Sequence, residues 1–157
     1  MRRNVSGKAR LALGAGLVAL VLAGLVFAAG GAAGARAGIV LGGKAFAPNG
    51  AGWGTERPAE IFNGGDPSGL VTRIHWRSWG GAVAIGWGKN PIFKPHGGYY
   101  RRPVAIELRA SEVGTCEGHR AYLRLKFREP SRPGGPLGPW RLWSGASTIC
   151  EAPARRG

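Results

Sequence analysis

An all-β fold is predicted, a small antiparallel β-sandwich or open barrel of about six to seven strands, preceded by an N-terminal signal or anchor helix. Three observations predict it. Large and small, or apolar and polar, side chains alternate over Leu70–Trp76, Val83–Trp87, Val104–Arg109 and His119–Arg128, the period of strands with one buried face. Glycine- and proline-rich turns separate these runs. No stretch after residue 37 holds a 3.6-residue period over ten or more positions.

The first 37 residues read as an address. Met1–Arg10 is basic, Leu11–Ala29 is an unbroken apolar run, and Ala35-Arg36-Ala37 is an A-x-A site. That order is a secretory signal, with release of a chain starting at Gly38. The alternative is a retained anchor, because nineteen apolar residues are about long enough to span a bilayer. Positive charge on the N-terminal side then keeps that end inside. Either way the following domain is expected outside the cytoplasm, secreted or anchored in the cytoplasmic membrane. Arg2-Arg3 is a poor twin-arginine signal, since it directly follows Met1 without a strongly apolar pair behind it.

Residues 38–57 carry few large side chains and read as a linker or irregular lead-in, with Trp53 as the first core anchor. The β domain is placed at 58–151 and a flexible tail at 152–157. A short strand at Ala59–Phe62 precedes the turn signal Asn63–Gly69. The centre of the domain is Ile74–Gly88, I-H-W-R-S-W-G-G-A-V-A-I-G-W-G. It reads as a hairpin turning at Gly80-Gly81, with an aromatic cluster of Trp76, Trp79 and Trp87. Ala82, Ala84 and Gly86 leave room for large side chains of a neighbouring element. Lys89–Gly98 is a loop with Ile92 and Phe93 folded under it, and Val104–Arg109 is the next strand.

In His119–Arg128, Ala121, Leu123, Leu125 and Phe127 alternate with Arg120, Tyr122, Arg124, Lys126 and Arg128. One set is assigned to the core and the other to water. The proline-rich Pro130–Pro139 turns the chain, and Trp140–Ser144 returns antiparallel. If Leu142 shares the core face, it pairs with Leu125, and Trp143 with Arg124. Extended, that register misses a Cys116–Cys150 pairing by one residue, which a bulge or a pairing past the last ladder bond would close. The two cysteines have no metal-binding spacing, and in an exported chain they are expected to form one disulfide. Closing a loop of about 34 residues contributes roughly 3–4 kcal/mol.

Twenty-two Lys and Arg against eight Asp and Glu give +14. Residues 38–157 carry seventeen against eight, a net +9, which attracts polyanions. Arginine-rich, Gly- and Ala-rich composition also follows from GC-rich coding, so charge alone does not indicate nucleic acid, and none is expected as partner. The sharpest functional feature is the basic side of the His119 strand. Arg120, Arg124, Lys126 and Arg128 flank Tyr122, with Arg141 joining them in the register above, a pattern suited to phosphate or another polyanion. The competing reading is a solvated face that blocks aggregation. Trp76/Trp79 and Trp140/Trp143 are both W-x-x-W, which on a strand places the rings on opposite faces. Trp79 and Trp143 would then be partly exposed, as a sugar-stacking platform or, more simply, as the lid of the core.

No hydrolase, zinc-protease, P-loop or dinucleotide-binding motif occurs in the sequence. His75, His96 and His119 lie at no recurrent ligand spacing, so no catalytic, metal or cofactor residue is assigned. The Ile74–Gly88 hairpin, with Arg57–Ile61 and Gly65-Asp66 before it and Pro103–Leu108 and Ala121–Leu125 after it, resembles small exported proteins of actinobacteria. These combine a signal segment with a W-x-x-W-G hairpin. The resemblance covers about residues 57–128 and implies export and a compact β domain, with no assigned activity. Its members often carry cysteines in the loop after the hairpin; Lys89–Gly98 has none. The resulting expectation is a non-catalytic β domain at the cell envelope, binding an anionic polymer through the basic strand face. A membrane is a partner only if the N-terminal segment is uncleaved. The alternatives are a secreted hydrolase using His75 or His119 with a carboxylate, and a purely structural envelope protein.

Overall fold

A computed structural model describes residues 38–152; the expected signal or anchor and the last five residues of the tail lie outside them. Among the described residues no helix is long and apolar enough to cross a membrane. The chain is mostly β. Its strands are β1 (Val40–Leu41), β2 (Ile61–Phe62), β3 (Leu70–Ser78), β4 (Val83–Asn90), β5 (Val104–Cys116), β6 (His119–Arg128) and β7 (Arg141–Leu142). They form one sheet in the order β1-β6-β5-β4-β3-β2, with β7 also on β6, curled into a half-barrel. All pairings are antiparallel except β1 with β6, which is parallel.

The curl follows from which side chains are small. Gly86 and Gly88 sit on the concave side of β4, where Trp76, Val71 and Ile74 fold across them. A Cβ at Gly86 would lie 2.8 Å from the Trp76 ring, and one at Gly88 would lie 2.5 Å from Val71 Cγ1. β3 reaches over β4 through two register shifts, between Thr72 and His75 and between Trp76 and Ser78, and irregularities of that kind increase local bend and twist. Behind them the core joins Ile61, Val71 and Ile74 to Ile106, Leu108, Ala110 and Leu125.

The stretch read as a linker or lead-in is irregular but belongs to this core. Ile39, Leu41, Phe46 and Trp53 are all buried. The Leu41 N–H donates to Thr55 O, and the Gly54 N–H to Leu41 O, so the segment folds on itself before β1 docks on β6. Indole N–H groups then tie distant loops together: Trp53 to Phe62 O, Trp76 to Pro58 O, Trp79 to Ile39 O and Trp143 to Asn63 Oδ1, all at 2.8–2.9 Å. A buried indole needs such a partner; the Trp53 and Trp76 bonds anchor an irregular segment to a strand, and the Trp79 and Trp143 bonds join two irregular segments.

Cys116 and Cys150 are disulfide-bonded, with Cα atoms 5.6 Å apart. The bond joins the end of β5 to the segment after β7. That segment rejoins β6 beyond the two-residue β7 ladder, where the Ile149 N–H donates to Leu123 O. Gly43 packs against the bridge so closely that a Cβ there would be 2.6 Å from Cys116 Sγ. At the adjoining turn, Glu117 accepts hydrogen bonds from the N–H groups of Lys44 and Ala45 at 3.0 and 2.7 Å. These two bonds hold its carboxyl below the usual carboxylate range.

The β6–β7 register differs from expectation by one residue: Leu142 faces Lys126 and Arg141 faces Phe127. Such a slip moves every side chain of the strand to the other face. Trp143, expected partly exposed, is buried instead in a short 3-10 turn, against Phe127 and Trp53.

Candidate functional site

The solvent face of the sheet is assembled by pairing across β3 to β6. Residues directly opposite in antiparallel strands share a face, so His75, Trp87, Glu107 and Arg128 form one row. Ile85, Arg109 and Lys126 form the next, and Val83, Ser111 and Arg124 the third. Lys89, opposite Ala105, lies one step beyond Trp87.

Two of the expected basic residues are neutralised where they stand. Arg124 is ion-paired with Glu112. Arg128 Nε donates to Glu107 Oε2 at 2.6 Å, and its guanidinium lies 4.8 Å from the Trp140 ring centroid. Lys126 and Arg109 differ. They face each other across β5 and β6, and neither has an ion pair among the described residues. Like charges directly opposite are destabilising. Arg120, opposite Thr115 at the far end of β6, is exposed and also lacks one.

Two members of the expected basic face do not belong to it. Tyr122 is fully buried. Its hydroxyl accepts from the Gly80 N–H and donates to Gly81 O, each at 2.9 Å, and its ring meets Trp79 edge-on at 5.2 Å. Burial pushes its hydroxyl pKa up. Tyr122 and Leu125 both join the core, although strict alternation separates them. The alternation breaks beside Glu112 of β5, a non-glycine residue at φ 60° whose conformation reorients the pleat. Arg141 departs for the other reason, the one-residue register shift. It shares the concave face of Phe127, its guanidinium 4.9 Å from that ring's centroid.

The aromatic cluster is also redrawn. Trp76 and Trp79 meet at 4.6 Å in an edge-to-face pair, brought to the same side by the register shift after Trp76. Trp87 is not with them. It points out from β4 and is 36% exposed, beside Lys89, Arg102 and Leu137 around a shallow hollow of about 510 Å³. Arg109, Trp87 and Lys89 were missed as parts of the face because their strand partners could not be read from spacing alone.

The histidines fall in three places: His75 on the solvent face, His96 in the loop after β4, and His119 at the β5–β6 turn. His119 lies near Glu117, but both oxygens of that carboxylate are taken by backbone N–H groups. Among the described residues no group of three His, Cys, Asp or Glu converges on a metal-sized site. Comparison with family models, with curated proteins and with solved structures finds no match for this chain.

Proposed function

We propose that this is an exported, non-catalytic binding domain that holds an anionic polymer of the cell envelope against the solvent face of β4, β5 and β6. The observation that carries the reading is the Arg109–Lys126 pair, two cations set opposite each other with no ion pair to either among the described residues. A polyanion laid along the strands would relieve that repulsion and release its own counterions. Ile85 and Trp87 lie alongside the two cations and offer apolar surface to the polymer backbone. Export is supported by the disulfide, which persists in oxidising compartments, and by the basic-apolar order of the first 37 residues.

Salt elution from sulfated and phosphorylated matrices tests the reading. Arg109→Glu/Lys126→Glu should elute the full chain at markedly lower salt, with the slope of log affinity against log salt reduced by roughly one per residue changed. Lys94→Glu/Arg132→Glu makes the same change in net charge in the loops and should move elution much less. Equal effects from the two pairs would reduce the attraction to net charge and remove the face from the proposal.

A further inference from the structure

On the concave side, where β4 and β6 run out, the chain forms an open cleft of about 750 Å³, within the range of small-ligand clefts, about 300–1,000 Å³. Pro91, Pro130, Pro136 and Pro139 form much of its wall. They stiffen it and offer no N–H donors. Polar groups gather at Asn90, Glu129 and Arg141. Asn90 Nδ2 donates to Glu129 Oε2 at 2.5 Å, and Arg141 Nη2 donates to Glu129 Oε1 at 3.2 Å.

Asn90 is 4% exposed, and its Oδ1 has no hydrogen-bond partner among the described residues. The amide is not free to turn over, because that would set its carbonyl oxygen against the Glu129 carboxylate. A buried acceptor fixed in this way and left idle weakens the fold. The oxygen is shut off from the cleft, so Asn90 serves it only through the Glu129 carboxylate that its amide N–H holds.

Opposite these groups stands an aromatic platform. Phe93 is 52% exposed and stacks on Tyr99 at 4.3 Å with 28° between planes. The Tyr99 hydroxyl donates to Asp66 Oδ1 at 3.0 Å, and Asp66 in turn accepts from the Ser68 N–H and hydroxyl. One face of Phe93 is thus held in place while the rest of the ring remains open to the cleft it lines.

We propose that this cleft binds a neutral saccharide unit, with Phe93 under the apolar face of the sugar ring, Glu129 and Arg141 reading its hydroxyls, and Asn90 holding Glu129 in place. Glu129 and Arg141 cancel each other's charge, so neither an anion nor a cation gains a net field here. A wholly apolar ligand would give the Glu129 carboxylate and the Arg141 guanidinium nothing to bond. A hydroxyl both donates and accepts, which suits a carboxylate next to a guanidinium with spare N–H groups. The site is independent of the basic face: Arg141 and Phe127 point to the concave side, Lys126 to the convex.

Nitrogen-edited NMR of the full chain, titrated with neutral hexoses, pentoses, N-acetylhexosamines and their disaccharides, tests the proposal. At least one should give saturable shifts at the amides of Asn90, Ile92, Phe93 and Glu129, with Kd in the millimolar range. Phe93→Ala, a change at a half-exposed ring, should weaken that binding at least about fivefold, with the melting temperature lowered only by the lost stack on Tyr99. Asn90→Val frees the Glu129 carboxylate that the amide holds and should weaken binding, with the amide spectrum of the variant used to check that it is folded. Arg109→Glu/Lys126→Glu should leave it intact, which separates this site from the polymer-binding face. No saturable shift with any of these sugars, unchanged affinity in Phe93→Ala, or shifts produced by sulfate and not by sugars would overturn it.

Discussion

The two ends of β6 are held by opposite means. At the His119 end the chain is clamped: the Cys116–Cys150 bond closes over Gly43, Glu117 caps two N–H groups of the N-terminal segment, and β1 runs parallel along Ala121 and Tyr122. At the Arg128 end a proline-rich turn leads to β7, which pairs over only two residues, and among the described residues the buried Asn90 Oδ1 has no partner beside an open cleft. Rigidity collected at one end lets the other carry polar groups and an exposed aromatic that a uniformly optimised fold would exclude.

Removing the clamp should have the largest effect. Cys116→Ala/Cys150→Ala should lose about 3–4 kcal/mol, a drop of roughly 10–20 °C in thermal unfolding for a domain of this size. A drop of only a degree or two would show that β1 and Glu117 hold that end without the sulfur bridge. In the middle of the sheet the sensitive point is close packing. Gly88→Ala places a methyl 2.5 Å from Val71 Cγ1 and 3.0 Å from Thr72 O. It should cost about 1–3 kcal/mol in denaturant unfolding, and a neutral result would mean that β3 is free to lift off β4.

The smallest effect concerns Glu117 and has a pH signature. Its folded pKa lies below its unfolded value, so its contribution is fully present above the unfolded pKa and fades as pH falls through the folded one. Glu117→Gln should therefore be less stable than the parent at neutral pH by a margin that shrinks on acidification below the ordinary carboxylate range. Comparing melting temperatures of the two proteins across pH isolates this carboxylate from Asp66, whose pKa is also lowered, chiefly by its hydrogen bonds from Ser68. A margin that stayed constant with pH would mean that the Lys44 and Ala45 N–H groups do not depend on the charge.

Much of the sheet was legible in the sequence because alternation is a local signal. It located β3 to β6 and the side of β4 that Ala84 and Gly86 leave open. The disulfide was legible because only two cysteines occur. What failed was decided by single backbone events. The φ of Glu112 turns Tyr122 into the core, and one residue of register carries Arg141 to the opposite face. β1 escaped notice because a two-residue strand has no period, and its partner lies about eighty residues away. The concave site was harder still: Asn90 and Glu129 are separated by 39 residues, and the fold alone joins them.

The far edge of β6 is covered in pieces, by β1, by β7 and by the Ile149 N–H between them. Two of these three patches, β1 and the Ile149 segment, meet at the same sulfur bridge. Chemical reduction would therefore loosen both together and bare the backbone groups of Ala121–Leu123, the kind of edge that pairs with a second copy.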